Sequence, residues 1–149
     1  MESFLGKILI TVFGISSAIA PTTSIMPQQI EDWSKIGVMQ CELTHAQTAW
    51  RYSLEFHESK AKESALNPKD KDGTPSYSYF QFKPDTVKLY GVKYKMIPEN
   101  LSEKEYIELT KNLEFITEVV TRMICDKDVV WKNEFPDVTQ RFIGYPPKY

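Results

Sequence analysis

Phe56-His57-Glu58-Ser59-Lys60-Ala61-Lys62-Glu63-Ser64-Ala65-Leu66-Asn67-Pro68 carries an acidic residue from the end of a predicted helix into a proline-bounded turn. After Lys69-Asp70-Lys71, the segment Asp72-Gly73-Thr74-Pro75-Ser76-Tyr77-Ser78-Tyr79-Phe80-Gln81-Phe82 makes a second turn and an aromatic stretch with one glutamine. The helical period stops at Asn67, and Ser76 to Phe82 reads as a strand or small hairpin. The expected fold is therefore mainly α, an α+β helical domain with a small β-hairpin beside a cleft.

Upstream, Thr44 with Gln47 three residues on has the pattern of a capping box. The helix that it opens bears Trp50, Leu54 and Glu58 four residues apart, which puts Glu58 on the extension of an apolar stripe. A carboxyl group on the core-facing side of a helix end loses hydration, and its pKa rises. Downstream, Pro84-Asp85 predicts a helix that Gly91 ends, and Ser102 with Glu105 a second capping box opening a helix with Tyr106, Ile107 and Leu109. Leu113, Ile116, Val120, Met123 and Ile124 form a core-facing stripe. Pro136 to Gly144 predicts a last short helix with Val138, Phe142 and Ile143. Trp131 and the Tyr145-Pro146-Pro147-Lys148-Tyr149 end are expected to pack on the domain.

The 149 residues suffice for one modest core. A net charge of -2 with 26% charged residues of mixed sign leaves no basic field, so nucleic acid is not an expected partner. Lys7, the apolar run Ile8 to Ile15 and the small residues Ser16, Ser17, Ala18 and Ala20 make residues 1–20 a signal peptide or an N-terminal anchor. The apolar run is short for a membrane span. Residues 21–26 read as a linker and 27–149 as the domain, with Pro27 opening a short helix that carries Ile30 and Trp33 and ends at Gly37. Export would place the protein in the cell envelope or outside the cell, with membrane contact through the N-terminal segment only. Cys41 and Cys125 allow either one disulfide or two separate buried thiols. His45 and His57 are the only histidines and no pair of ligands has metal-binding spacing, so neither a metal nor a cofactor is expected. His57 beside Glu58 reads first as a structural or surface residue.

The segment from Glu58 to Tyr90 resembles the soluble-lytic-transglycosylase-like branch of the lysozyme superfamily. The residues that carry the resemblance are Glu58-Ser59, Ser64-Ala65-Leu66-Asn67-Pro68, Ser78-Tyr79-Phe80-Gln81 and Pro84-Asp85-Thr86, with an extended loop through Asp72-Gly73-Thr74-Pro75-Ser76. The motif fits in two ways. With Glu58 as the acid, the Asn-Pro element and the loop fall into place, although Lys60 stands where glycine is usual and Lys62-Glu63 where Asn-Pro is usual. With Glu63 as the acid, Glu-Ser-Ala-Leu-Asn-Pro is intact, but Lys60 and Lys62 flank it and no apolar turn desolvates the carboxyl group. Glu58 is preferred, because a raised pKa is what a general acid needs, and Glu63 is the runner-up.

The resemblance implies cleavage of the bond between N-acetylmuramic acid and N-acetylglucosamine in peptidoglycan glycan strands by one glutamic acid. It also implies substrate-binding roles for Ser59, Ser78, Tyr79 and Gln81. Gln81 would hydrogen-bond the sugar and Tyr79 would form the cleft wall, whereas an alternating strand face is the plainer reading of Tyr77, Tyr79 and Gln81. Ser59 would hold the carboxyl group or cap the helix end. Ser78 replaces the family's glycine, a departure that, with Lys60, leaves open a non-catalytic peptidoglycan-binding or envelope scaffold protein. A hydrolytic muramidase is a third reading and would need a second carboxylate or a positioned water. Asp70, Asp72 and Asp85 are the nearby carboxylates, with Asp72 before Gly73 reading as a turn residue.

Overall fold

The computed structural model describes residues 41–148. The signal or anchor segment 1–20, the linker 21–26 and the predicted helix with Ile30 and Trp33 lie outside the described residues. No described helix is long and apolar enough to cross a membrane.

Helix α1, His45–Ser59, starts where the capping box predicts: the Thr44 hydroxyl accepts from the Gln47 amide, and the Gln47 side chain accepts from the Thr44 amide. Trp50 and Leu54 are buried on its inner face. The helix ends as Lys60 turns into the left-handed region at φ 57° and donates its amide to the Phe56 carbonyl at 2.8 Å. A two-residue antiparallel ladder follows, β1 Leu66–Asn67 against β2 Ser76–Tyr77, with Leu66 opposite Tyr77 and Asn67 opposite Ser76.

Of the two readings of Ser76 to Phe82, a strand or a small hairpin, the structure takes the hairpin, with strand geometry only at Ser76–Tyr77. Ser78 and Gln81 have φ of 61° and 51°, which breaks the extended run into a tight turn closed by a bridge between Tyr77 and Phe82. Tyr77, Tyr79 and Gln81 therefore do not form one face of a strand.

Helix α2, Pro84–Lys93, places Pro84 in its first turn, where a missing N–H costs nothing. Gly91 lies inside this helix and does not end it. A Cβ on Gly91 would meet the Ile97 side chain at 2.6 Å, so glycine is there for close packing. Helix α3, Glu103–Lys111, carries the Ser102–Glu105 capping box and buries Tyr106 and Leu109. Helix α4, Leu113–Cys125, is the central element, with Phe115, Ile116, Val119, Val120 and Met123 completely shielded from solvent. Leu113, assigned to its inner stripe by sequence, is 45% exposed, because it opens the helix on the turn after Asn112.

Two short helices close the chain, α5 Trp131–Glu134 and α6 Pro136–Val138, followed by a π-helical turn at Thr139–Ile143. This bears out the helical reading of 136–144 except at Phe142, which faces solvent. Trp50 packs edge-on against Trp131, with centroids 4.9 Å apart, and donates its indole N–H to the Gly144 carbonyl. Gln47 Nε2 donates to the Pro147 carbonyl, so the tail is fastened to α1 as expected. Cys41 and Cys125 form a disulfide across a sequence separation of 84, which resolves the alternative left open by sequence. Closing a loop of that size contributes on the order of 2–4 kcal/mol. The result is a mainly helical α+β domain with a two-stranded antiparallel sheet.

Candidate active site

A cavity of about 480 Å³ opens between the C-terminal end of α1, the loop joining β1 to β2, the start of α2 and the α5–α6 segment. Glu58 reaches it from the last turn of α1, while Asp70, Lys71 and Asp72 come from the loop, and Glu134 and Asp137 from the opposite wall. Trp50 and Leu54 anchor the helix in the core, and the four-residue spacing then brings Glu58 to the cavity partly buried. Its pKa is raised to about 7, first by burial and then by the negative charges of Asp70 and Asp137. A carboxyl group so placed keeps its proton to higher pH than an ordinary glutamate, which is the state that a general acid needs.

The surrounding charges are organised by two lysines. Lys83 Nζ lies 2.6 Å from Asp72 and 3.3 Å from Asp70, and Lys71 Nζ lies 2.8 Å from Asp137. The Lys71–Asp137 pair spans from the loop to α6. The hydrogen bond from Lys71 holds the Asp137 carboxyl below its ordinary pKa, so Asp137 stays ionised near Glu58. Asp72 is held well below the usual range by hydrogen bonds from Lys83 and Thr74, and it accepts from the Thr74 amide as a turn residue should. Asp85 is exposed in the first turn of α2 and is not part of the cavity wall.

The other predicted site residues divide sharply. Glu63 is exposed and lies outside the cavity wall. Tyr79 packs against the core and is not among the residues that line this cavity. Ser59 is buried and donates to the Tyr79 carbonyl at 2.6 Å, and its Oγ accepts from the Lys62 amide. It holds the turn, not the Glu58 carboxyl group. Ser78 is only 1% exposed and is not among the residues that line this cavity.

Gln81 does line the cavity. Its amide group, however, donates to the Ser78 carbonyl at 2.8 Å and the Ala65 carbonyl at 3.3 Å, while its oxygen accepts from Ser76. These bonds staple the hairpin turn, so the side chain shapes the wall from within. Lys60, Ala61, Ser78 and Gln81 all have left-handed backbones. Lys60 and Ser78 stand where the resembled motif has glycine, and both adopt the conformation that glycine supplies most cheaply. Ser78 Oγ is buried without a hydrogen-bond partner, an added cost of the substitution.

Asp137, Glu134 and Asn133 were missed by sequence reasoning because they join the cavity only through tertiary packing. Among the described residues no group of His, Cys, Asp and Glu is arranged to hold a metal ion. Compared with known proteins, the chain matches no family model, no curated protein and no solved structure.

Proposed function

We propose that the protein is a peptidoglycan lytic transglycosylase with Glu58 as its single acid and base. The observation that carries this reading is the Glu58 carboxyl group, desolvated at a helix end and opening onto a polar cavity walled by the hairpin loop. In this mechanism protonated Glu58 gives its proton to the glycosidic oxygen between N-acetylmuramic acid and N-acetylglucosamine as the C–O bond breaks. The substrate's acetamido group stabilises the positive charge at the anomeric carbon. The Glu58 carboxylate then removes the proton of the 6-hydroxyl, whose oxygen closes a 1,6-anhydro ring and returns the acid to its starting state.

The charged wall favours a second reading, hydrolysis by a muramidase. Asp70 and Asp137 line the same cavity as Glu58 and raise its pKa, so a second carboxylate of the kind that hydrolysis needs shares the cavity. The hydrogen bond from Lys71 weakens Asp137 as a base and Asp70 is paired with Lys83, which ranks this reading second. A binding protein without turnover is the third, supported by the cost of Ser78 in its left-handed turn. On any of these readings the protein works in the envelope or outside the cell, where peptidoglycan is met.

The experiment is mass spectrometry of purified peptidoglycan after incubation with the protein, Glu58→Gln and Glu63→Gln. Transglycosylation yields anhydro-muropeptides, which Glu58→Gln reduces by about 10²–10⁴-fold and Glu63→Gln leaves near the wild-type level. Hydrated reducing ends identify the muramidase. Binding to sacculi without release identifies the scaffold.

A further inference from the structure

We propose that Phe56, His57 and Phe142 form a saccharide-stacking platform that extends the candidate site along a glycan strand beyond the Glu58 cavity. The inference rests on the glycan-cleaving reading above. The three rings are contiguous: His57 stacks on Phe142 with centroids 5.0 Å apart and planes 20° from parallel, and Phe56 meets His57 edge-on at 6.0 Å. Phe56 is 54% exposed and Phe142 65% exposed, whereas Phe80, Phe82, Phe115 and Phe135 are buried. A single exposed ring is ordinary, but adjoining exposed rings from two separate elements form a patch that folding alone does not require.

The patch neighbours the cavity residues along the chain, although none of its three rings lines the cavity. His57 immediately precedes Glu58 on α1, and Phe142 lies in the π-helical turn that follows the cavity residues Asp137 and Val138. With one face against His57 and most of its surface exposed, Phe142 turns its other face to solvent. A pyranose ring presents C–H groups of slight positive charge on its apolar face, and an aromatic face attracts them as it attracts the edge of another ring.

Charge decides which glycan fits. Lys60 Nζ sits 4.4 Å from the Phe56 centroid, and Arg141, next to Phe142, has a side chain 71% exposed that reaches Asp137 at 3.9 Å. Two cations beside a stacking surface complement a strand that carries carboxylates along a sugar backbone, as peptidoglycan does, better than a neutral polysaccharide.

The test is cosedimentation of the full-length chain with purified sacculi in the Glu58→Gln background, which binds without cutting. Adding Phe142→Ala is expected to weaken binding by about two- to tenfold, and adding Phe56→Ala to weaken it further. Phe142→Trp keeps the binding, since it keeps a π face, and thermal midpoints stay at the parent value because both rings are exposed. Equal binding by the parent and the Phe142→Ala, Phe56→Ala double variant, with wild-type protein still releasing muropeptides, overturns the platform alone. No binding by the parent and no release by the wild type overturns the glycan reading, and this inference with it.

Discussion

Helix α4 and the segment from Lys60 to Gln81 were built under opposite rules. In α4 the buried residues Phe115, Ile116, Val119, Val120 and Met123 lie on a regular helix within the core cluster. The loop segment holds four non-glycine residues in the left-handed region, a sheet of only two residues per strand, and a buried hydroxyl without a partner. Strain of this kind persists only where the surroundings over-determine it, and of the four strained residues Gln81 lines the Glu58 cavity. The helical core supplies the stability that the loop draws on.

The comparison breaks most readily in the core. Phe115→Ala removes a fully shielded ring and is expected to destabilise the domain by about 3–5 kcal/mol in urea unfolding. A loss below about 1 kcal/mol would mean that α4 is not the stabilising centre.

Glu58 should destabilise the fold as pH rises. Below about pH 4.5 folded and unfolded chains both hold its proton, and between about 4.5 and 7 only the folded chain does. Stability therefore falls through that window, by about 3 kcal/mol from this group, and levels off above it. Glu58→Gln removes that decline, so the variant gains on the wild type at pH 8 while losing turnover. Parallel stability curves for the two proteins would contradict the desolvation of Glu58.

Ser78→Gly is the smaller test and sharpens the comparison from the loop side. Glycine relieves the left-handed backbone and deletes the unpaired hydroxyl, for an expected gain of about 1 kcal/mol. A loss of stability would show that the serine side chain holds the turn.

The same contrast explains what sequence reasoning could reach. The capping boxes at Thr44 and Ser102 were legible because their bonds run between a side chain and a backbone three residues away. The Trp50–Leu54–Glu58 stripe was legible because helical spacing alone orients it. Gly91 was misread as a helix stop because its neighbour Ile97 approaches from outside the helix. Over Ser76 to Phe82 the sequence allowed a strand or a small hairpin, and nothing in the aromatic alternation signals the left-handed torsions of Ser78 and Gln81 that select the hairpin. Of the two roles that sequence left open for Ser59, the hydrogen bonds fit the one at the helix end, and those of Gln81 run to Ser76, Ser78 and Ala65, partners that only the folded turn assembles. Asp137 and the Phe142–His57 stack have no local signature at all, because tertiary packing alone brings the C-terminal turn to α1.

The most direct test of the account is a carbon-13 NMR titration of the Glu58 side-chain carboxyl, assigned by its disappearance in Glu58→Gln. A midpoint near 7 is the predicted result, and it would establish a desolvated acid flanked by Asp70 and Asp137. A midpoint near 4.5 would describe an ordinary solvated glutamate and contradict the proposal that it is a catalytic acid.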